Sequence, residues 1–255
     1  MEVTLIQMTQ CPKEMLIFSK KTRQLTGASA YDDILLMPEA QKDKEVEYVF
    51  NTIGSSWEFV DFIFLIAGVT RAFTHQLVRH RVGVAYAQQA QRVVDLSEEF
   101  DYLATGDCEN DQEYHMIMQT IKAGYASLMR KGVRPQDARG VLPTNVLTNI
   151  LFKANLRTLS HILSHRLCFR AQGEFQEVAR ELRQKAIKAA PWAAKVLDVY
   201  CLQHSSCLWH AFEECPVKQT IPELRGLSPE RKELARAAWE LTVGYDPQPK
   251  PHTVS

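Results

Sequence analysis

Apolar positions along this chain follow two periods, one near two residues and one near three and a half. Alternation over residues 2–8 predicts a short opening strand that ends near Pro12. From about Lys13 to Arg23 the spacing of Met15, Leu16 and Phe18 is helical, and residues 43–53 repeat that pattern. Residues 58–66 read as a strand buried on most sides, because Phe62, Phe64 and Ile66 alternate with further apolar residues. Gly68 is expected to break this strand. A helix over 69–79 would then set Arg71, His75 and Arg79 on one face by four-residue spacing. Residues 110–131 form a long amphipathic helix closed by Gly132. Residues 138–143 are a turn, and 145–152 are a strand or an irregular apolar segment. Helices are expected over 155–168 and 171–190, with Pro191 as punctuation. Ser228-Pro229-Glu230 supplies a cap and a first-turn proline for a terminal helix reaching about Val243. Nothing resembles a linker. The expectation is one α+β domain over residues 1–245, a central and mostly antiparallel sheet with helices around it, and a disordered tail over 246–255.

The bulk numbers narrow the partners. At 255 residues the chain can bury a large core without staples. Thirty basic and thirty acidic residues cancel, so the whole molecule offers no general attraction to nucleic acid or to an anionic membrane. No apolar run approaches the ~20 residues that span a bilayer, and the start of the chain lacks the pattern of a secretory signal. Six cysteines at this length are not a disulfide framework, and a cytoplasmic setting is expected.

One stretch departs from this neutral background. Gln76-Leu77-Val78-Arg79-His80-Arg81 and Gln88-Gln89-Ala90-Gln91-Arg92 gather cations and amides around the small apolar run from Val82 to Ala87. From Phe73 onward the first acid is Asp95. A solvated helix face would intersperse acids with its arginines. Arginine forks match phosphate and carboxylate oxygens in pairs, so this stretch suits a small anionic, planar ligand. Further on, Leu156, Leu159, Leu163 and Leu167 form an apolar stripe, with Arg157, His161, His165 and Cys168 opposite. Arg166 falls at the edge of the stripe, where a guanidinium needs either a buried acid or a ligand anion.

Several of these segments carry a family resemblance. Gly68-Val69-Thr70-Arg71-Ala72 followed by His75-Gln76-Leu77-Val78-Arg79-His80-Arg81 resembles the flavin-dependent thymidylate synthase family. Ala138-Arg139 with Leu142-Pro143 is similar to that family's AR-x-x-LP turn. Asn155 and Arg157 fall at its flavin-contacting pair, and Arg166-Leu167-Cys168, Arg170-Ala171-Gln172 and Glu174 resemble its R-L-C-x-R-A-Q-W-E run. The resemblance implies an α+β homotetramer with FAD and nucleotide at subunit interfaces. It implies NADPH as reductant and methylenetetrahydrofolate as one-carbon donor for C5 of a uridylate. Carried over by position, Gln76, Arg79, Gln88, Gln89, Ala90, Arg92, Arg139 and Arg166 would hold the nucleotide. Ser55, Arg79, His80, Arg81, Gln88, Asn155, Arg157 and His161 would hold FAD. Arg166 would stabilise negative charge developing on the pyrimidine, without covalent catalysis.

The chain also departs from the family pattern. Eight residues, where the family has seven, separate Arg81 from the position of a serine, and that position is Ala90. A second serine becomes Ala87, and Tyr86 lies in the lengthened loop. Tyr86, Ala87 and Ala90 are therefore the expected selectivity positions, with room for the 2′-hydroxyl of UMP as well as dUMP. Ile53 and Phe59 stand where the family has histidines, and Gly173 replaces a tryptophan. A cytidylate such as dCMP, methylated or hydroxymethylated, is the alternative substrate. A different class of reading is a zinc-binding module built on Cys201, His204 and Cys207, with His210 and Cys215 nearby. That spacing matches no recognised finger, and no metal is expected.

Overall fold

A computed structural model describes residues 1–23, 27, 29–98, 100–209, 215–221 and 228–241. In chain order the elements are β1 (Glu2–Met8), α1 (Pro12–Lys21), α2 (Ser29–Leu35), α3 (Glu39–Thr52), β2 (Asp61–Thr70), α4 (Arg71–Leu77), β3 (Val84–Gln88) and α5 (Gln112–Arg130). They continue with α6 (Pro135–Ala138), β4 (Leu147–Asn155), α7 (Leu156–Arg166), α8 (Gly173–Ala189), α9 (Tyr200–His204), α10 (Pro216–Thr220) and α11 (Pro229–Glu240). The strands form one sheet in the order β1-β2-β4-β3. Backbone bonds from Thr9 to Asp61, from Leu156 to Val60, from Arg71 to Val146, from Asn155 to Gly83 and from Gln89 to Asn149 run in opposite senses along each neighbouring pair. The sheet is thus antiparallel, as expected. The expected tail over 246–255 lies outside the described residues.

Three boundaries differ from the sequence reading. The second strand does not stop at Gly68. Gly68 sits within β2 at a φ of 67°, and its N–H is taken by Asn149 Oδ1 at 3.0 Å, so the strand continues to Thr70. The following helix is correspondingly short. It starts at Arg71 under a Thr70 cap and ends at Leu77, which leaves Arg79 in the turn beyond it. The run before Gln88, read as a loop, is strand β3.

The chain divides into two compact units whose segments alternate along the sequence. The first comprises Met1–Thr4, Leu65–Arg81 and Ala85–Phe152; the second comprises Leu5–Phe64, Val82–Val84 and the residues from Lys153 onward. In the first, α5 lays Tyr114, Met118, Ile121, Tyr125 and Leu128 along one face. These pack with Leu96, Phe100, Ala138 and Val146 in a small core. Asp111 caps this helix through its carboxylate, which accepts from the Glu113 and Tyr114 amides at 2.8 and 3.1 Å.

In the second unit, α7 packs on α8 and α9. Leu156, Leu159, Ile162, Leu163 and Leu167 are fully buried, which is the stripe read from the sequence plus Ile162. Helix α11 begins under a Ser228 cap, as expected. It contributes Trp239, whose indole N–H donates to the Leu167 carbonyl at 2.8 Å while the Arg180 guanidinium covers its ring at 4.4 Å.

Candidate functional site

The first unit holds the cationic stretch. Its arginines are placed by α4 and by the two turns that flank β3. The Arg71 and Ala72 amides donate to the Val146 and Thr144 carbonyls at 3.2 and 2.9 Å, which fixes the start of α4. Arg71 is half-buried, and its guanidinium reaches the Gln89 carbonyl at 3.4 Å. Burial first, and then the neighbouring Arg139, hold the Arg71 pKa below its ordinary value. Arg139 itself donates to the Gln136 carbonyl at 3.2 Å. Arg79, Arg81 and Arg92 are exposed. Among the described residues, no carboxylate pairs with any of these five arginines. Two guanidiniums that repel each other and lack an acid form a site that an anion would stabilise.

The amides and the tyrosine of this unit are tied in place. Gln88 Nε2 donates to Thr74 Oγ1 at 3.0 Å, with Thr148 Oγ1 at 3.5 Å. The Ala90 carbonyl accepts from the Val93 and Val94 amides at 3.0 and 3.1 Å, the turn that carries Arg92. Ala87 and Ala90 are both exposed. Tyr86 lies on β3 and not in a loop. Its ring stacks on Phe152, with centroids 5.5 Å apart and planes 11° from parallel. Gln91 Nε2 is buried without a hydrogen-bond partner, an orphan donor that a ligand acceptor would satisfy.

The second unit holds the other candidate residues, and several have local work. Asn155 is buried, and its Oδ1 accepts from the Thr158 amide at 2.9 Å, so it caps α7. Asn before a leucine-periodic run is a helix-start signal in its own right. Gly83 lies against this cap at a φ of 67°. A Cβ there would fall 2.3 Å from Asn155 Nδ2 and 2.6 Å from Thr158 Oγ1. Removing the cap with Asn155→Ala should cost about 1 kcal/mol, read as a lower melting temperature; an unchanged melting curve would contradict the capping role.

Arg157 forms an exposed ion pair with Glu58 at 2.6 Å, and the Ser55 hydroxyl accepts from Arg23. His161 lies 4.5 Å from His165 between ring centroids. Partial burial, followed by that neighbour, keeps its pKa below the usual histidine value. Arg166 is half-buried at the end of α7, with its guanidinium over the Phe175 ring at 4.5 Å. Its Nε is buried without a hydrogen-bond partner, and among the described residues no carboxylate pairs with it. Burial lowers its pKa, yet a guanidinium stays charged in a protein. The buried-acid explanation for Arg166 is therefore not what the described residues provide.

Neither Arg71 nor Gln91 belongs to the residue sets that the family resemblance carries over by position. The signal for Arg71 was present in the four-residue spacing of Arg71, His75 and Arg79. Cys201 and His204 lie on α9, and burial pushes the Cys201 thiol up to about 12. Among the described residues, no three His, Cys, Asp or Glu side chains are grouped so as to hold a metal ion; His210 lies outside them.

The profile of the Thy1 family, described as thymidylate synthase complementing protein, matches residues 4–192. A flavin-dependent thymidylate synthase of Pyrococcus furiosus is 35% identical over 178 residues, covering 65% of this chain and 68% of the relative. One from Sulfurisphaera tokodaii is 28% identical over 215 residues, 81% of each chain. One from Clostridium tetani is 36% identical over 165 residues, covering 57% of this chain and 66% of its own length. Among solved structures, thymidylate synthase X from Helicobacter pylori with FAD and dUMP shares the fold at a TM-score of 0.59 and 19% identity, covering 72% of this chain and 93% of that one. The UMP/dUMP methylase PolB from Streptomyces cacaoi, bound with 5-Br dUMP, does so at 0.60 and 18% identity, covering 76% and 93%.

Proposed function

The chain belongs to the Thy1 family of thymidylate synthase complementing proteins, and from that premise we propose that it is a flavin-dependent nucleotide C5-methyltransferase acting on a uridylate. The observation that carries this reading is the set of unpaired arginines: Arg71, Arg79, Arg81, Arg92 and Arg139 on one unit and Arg166 on the other, none paired with an acid among the described residues. Pyrophosphate and nucleotide phosphate are the anions that such forks accept in pairs.

The residues present fit FAD and a nucleoside monophosphate. Arg79, Arg92, Arg139 and Arg71 would neutralise and orient the nucleotide phosphate, with Gln76, Gln88 and Gln89 supplying amides and the orphan Gln91 Nε2 a further donor. Arg79, His80, Arg81, Ser55, Asn155, Arg157 and His161 would hold FAD. For Arg157 this requires exchanging Glu58 for a ligand oxygen, and for Ser55 releasing Arg23. Asn155 keeps its cap and has its amide nitrogen to offer. Bound FAD, recharged by NADPH, supplies the reducing chemistry, with methylenetetrahydrofolate as the one-carbon donor. Arg166 acts on the pyrimidine. C5 becomes nucleophilic as negative charge spreads over the ring, and a fixed guanidinium in a half-buried, water-poor place stabilises that charge more than bulk water would. The protein works as a homotetramer.

Ala87 and Ala90 support acceptance of the ribonucleotide. Each puts a hydrogen where the family's serine carries its hydroxyl, on an exposed position, which removes bulk and one hydrogen bond worth ~1.5–3 kcal/mol when its partner is charged. The purified protein, incubated with NADPH, FAD and methylenetetrahydrofolate, should methylate both UMP and dUMP, and mass analysis of the nucleotide reports the added group. Product from dUMP alone removes the ribonucleotide part of the proposal. Product from dCMP alone transfers the activity to a cytidylate, and a colourless protein that modifies none of the three overturns the enzyme reading.

A further inference from the structure

We propose that Tyr86 is a positioning residue whose hydroxyl straps down the turn presenting Arg79, His80 and Arg81, an inference whose functional part rests on the nucleotide and flavin reading above. Helix α4 ends at Leu77, and the last carbonyls of a helix have no partner within it. The Leu77 carbonyl accepts from the His80 amide at 3.2 Å and lies 2.9 Å from the Tyr86 hydroxyl. The His80 carbonyl lies 3.0 Å from the same hydroxyl. A phenol has one proton, so these two carbonyls share it or take it in turn, and in both cases the O–H stays on the turn. The two acceptors bracket Val78 and Arg79 and stand immediately before Arg81. Holding both carbonyls fixes the peptide planes from which the Arg79, His80 and Arg81 side chains depart.

The strap is itself anchored. The Tyr86 ring lies flat against Phe152, which is fully buried on β4. The phenol therefore cannot leave the turn without giving up a stacked contact. Burial also pushes the Tyr86 pKa up to about 12, so the hydroxyl keeps the proton it donates. Two neighbouring bonds from Gln88, to Thr74 on α4 and Thr148 on β4, hold the same strand from its other end. The turn is thus set by β3 and not by α4 alone. Pre-setting the cations lowers the ordering cost that ligand binding would otherwise meet.

The test uses Tyr86→Phe, which keeps the stacked ring and deletes only the O–H. In hydrogen exchange of the ligand-free protein, amides of the segment 78–81 should exchange about fivefold faster, the loss of roughly one hydrogen bond, while α5 is unchanged. Exchange equal to wild type overturns the strap. Titration with FAD and with dUMP should show both binding about fivefold more weakly, with kcat at saturation little altered and KM raised. Binding equal to wild type also overturns it. Tyr86→Leu, which removes the ring as well, should lower the melting temperature well beyond Tyr86→Phe. If the two variants melt alike and far below wild type, the residue serves packing and the positioning role is overturned. If the wild type binds neither ligand, the functional reading falls, and the exchange measurement alone decides the strap.

Discussion

Replacing Arg166 with alanine should lower turnover of dUMP by about a hundredfold to a thousandfold, the usual loss when one preorganised charge-stabilising donor is removed. The FAD content should stay close to wild type, because Arg166 is not among the proposed flavin contacts. Arg166 has no acid partner among the described residues and one orphan buried nitrogen, so its deletion relieves a local cost in the free protein while giving up the stacking on the Phe175 ring. The melting temperature of the apo protein should therefore change little. Arg166→Lys should recover only part of the rate, since a point charge replaces a planar fork. Steady-state kinetics with the flavin absorbance of each preparation checks this. Activity of Arg166→Ala within about tenfold of wild type would remove electrostatic activation from the proposal.

Gly83→Ala is expected to be the most damaging small change in stability. The left-handed conformation alone costs a Cβ-bearing residue about 1–2 kcal/mol. The added methyl would also meet Asn155 Nδ2 at 2.3 Å and Thr158 Oγ1 at 2.6 Å, and overpacking of that kind adds about 1–3 kcal/mol. Neither neighbour is a free-swinging chain end. The Asn155 side chain caps α7, and the Thr158 hydroxyl donates to the Val82 carbonyl at 2.8 Å. A fall in melting temperature on the order of ten degrees follows for a protein of this size. Asn155→Ser keeps a capping oxygen while removing the clashing amide, so the double variant should regain part of the loss. A Gly83→Ala protein that melts with wild type would show that the close approach is not maintained in solution.

The sequence read well wherever periodicity was long and ends were punctuated. The α5 helix has an apolar stripe over its whole length and a glycine at its end, and α11 begins with a serine cap and a proline. Strand β3 escaped because Val84-Ala85-Tyr86-Ala87-Gln88 alternates small residues without a clear inward face, and two of the five are exposed. The continuation of β2 through Gly68 was hidden because a side-chain amide from β4, 81 residues later, replaces the expected strand bond. The lack of acids around the arginines was legible directly, and the structure keeps those arginines unpaired among the described residues. The pairing of Arg157 with Glu58, 99 residues apart, was not legible. Nor was the work done by Asn155, whose resemblance to a flavin contact hid an ordinary capping signal.

The bond from Trp239 to the Leu167 carbonyl has a consequence for how such proteins diversify. The family match stops at residue 192, yet an indole supplied by a later helix fixes the peptide next to Arg166. A chimera that joined only the shared core to a foreign C-terminal segment would inherit the guanidinium without its backbone anchor. On the proposed role of Arg166, lineages with different appendages would drift in rate while every recognised motif stayed intact.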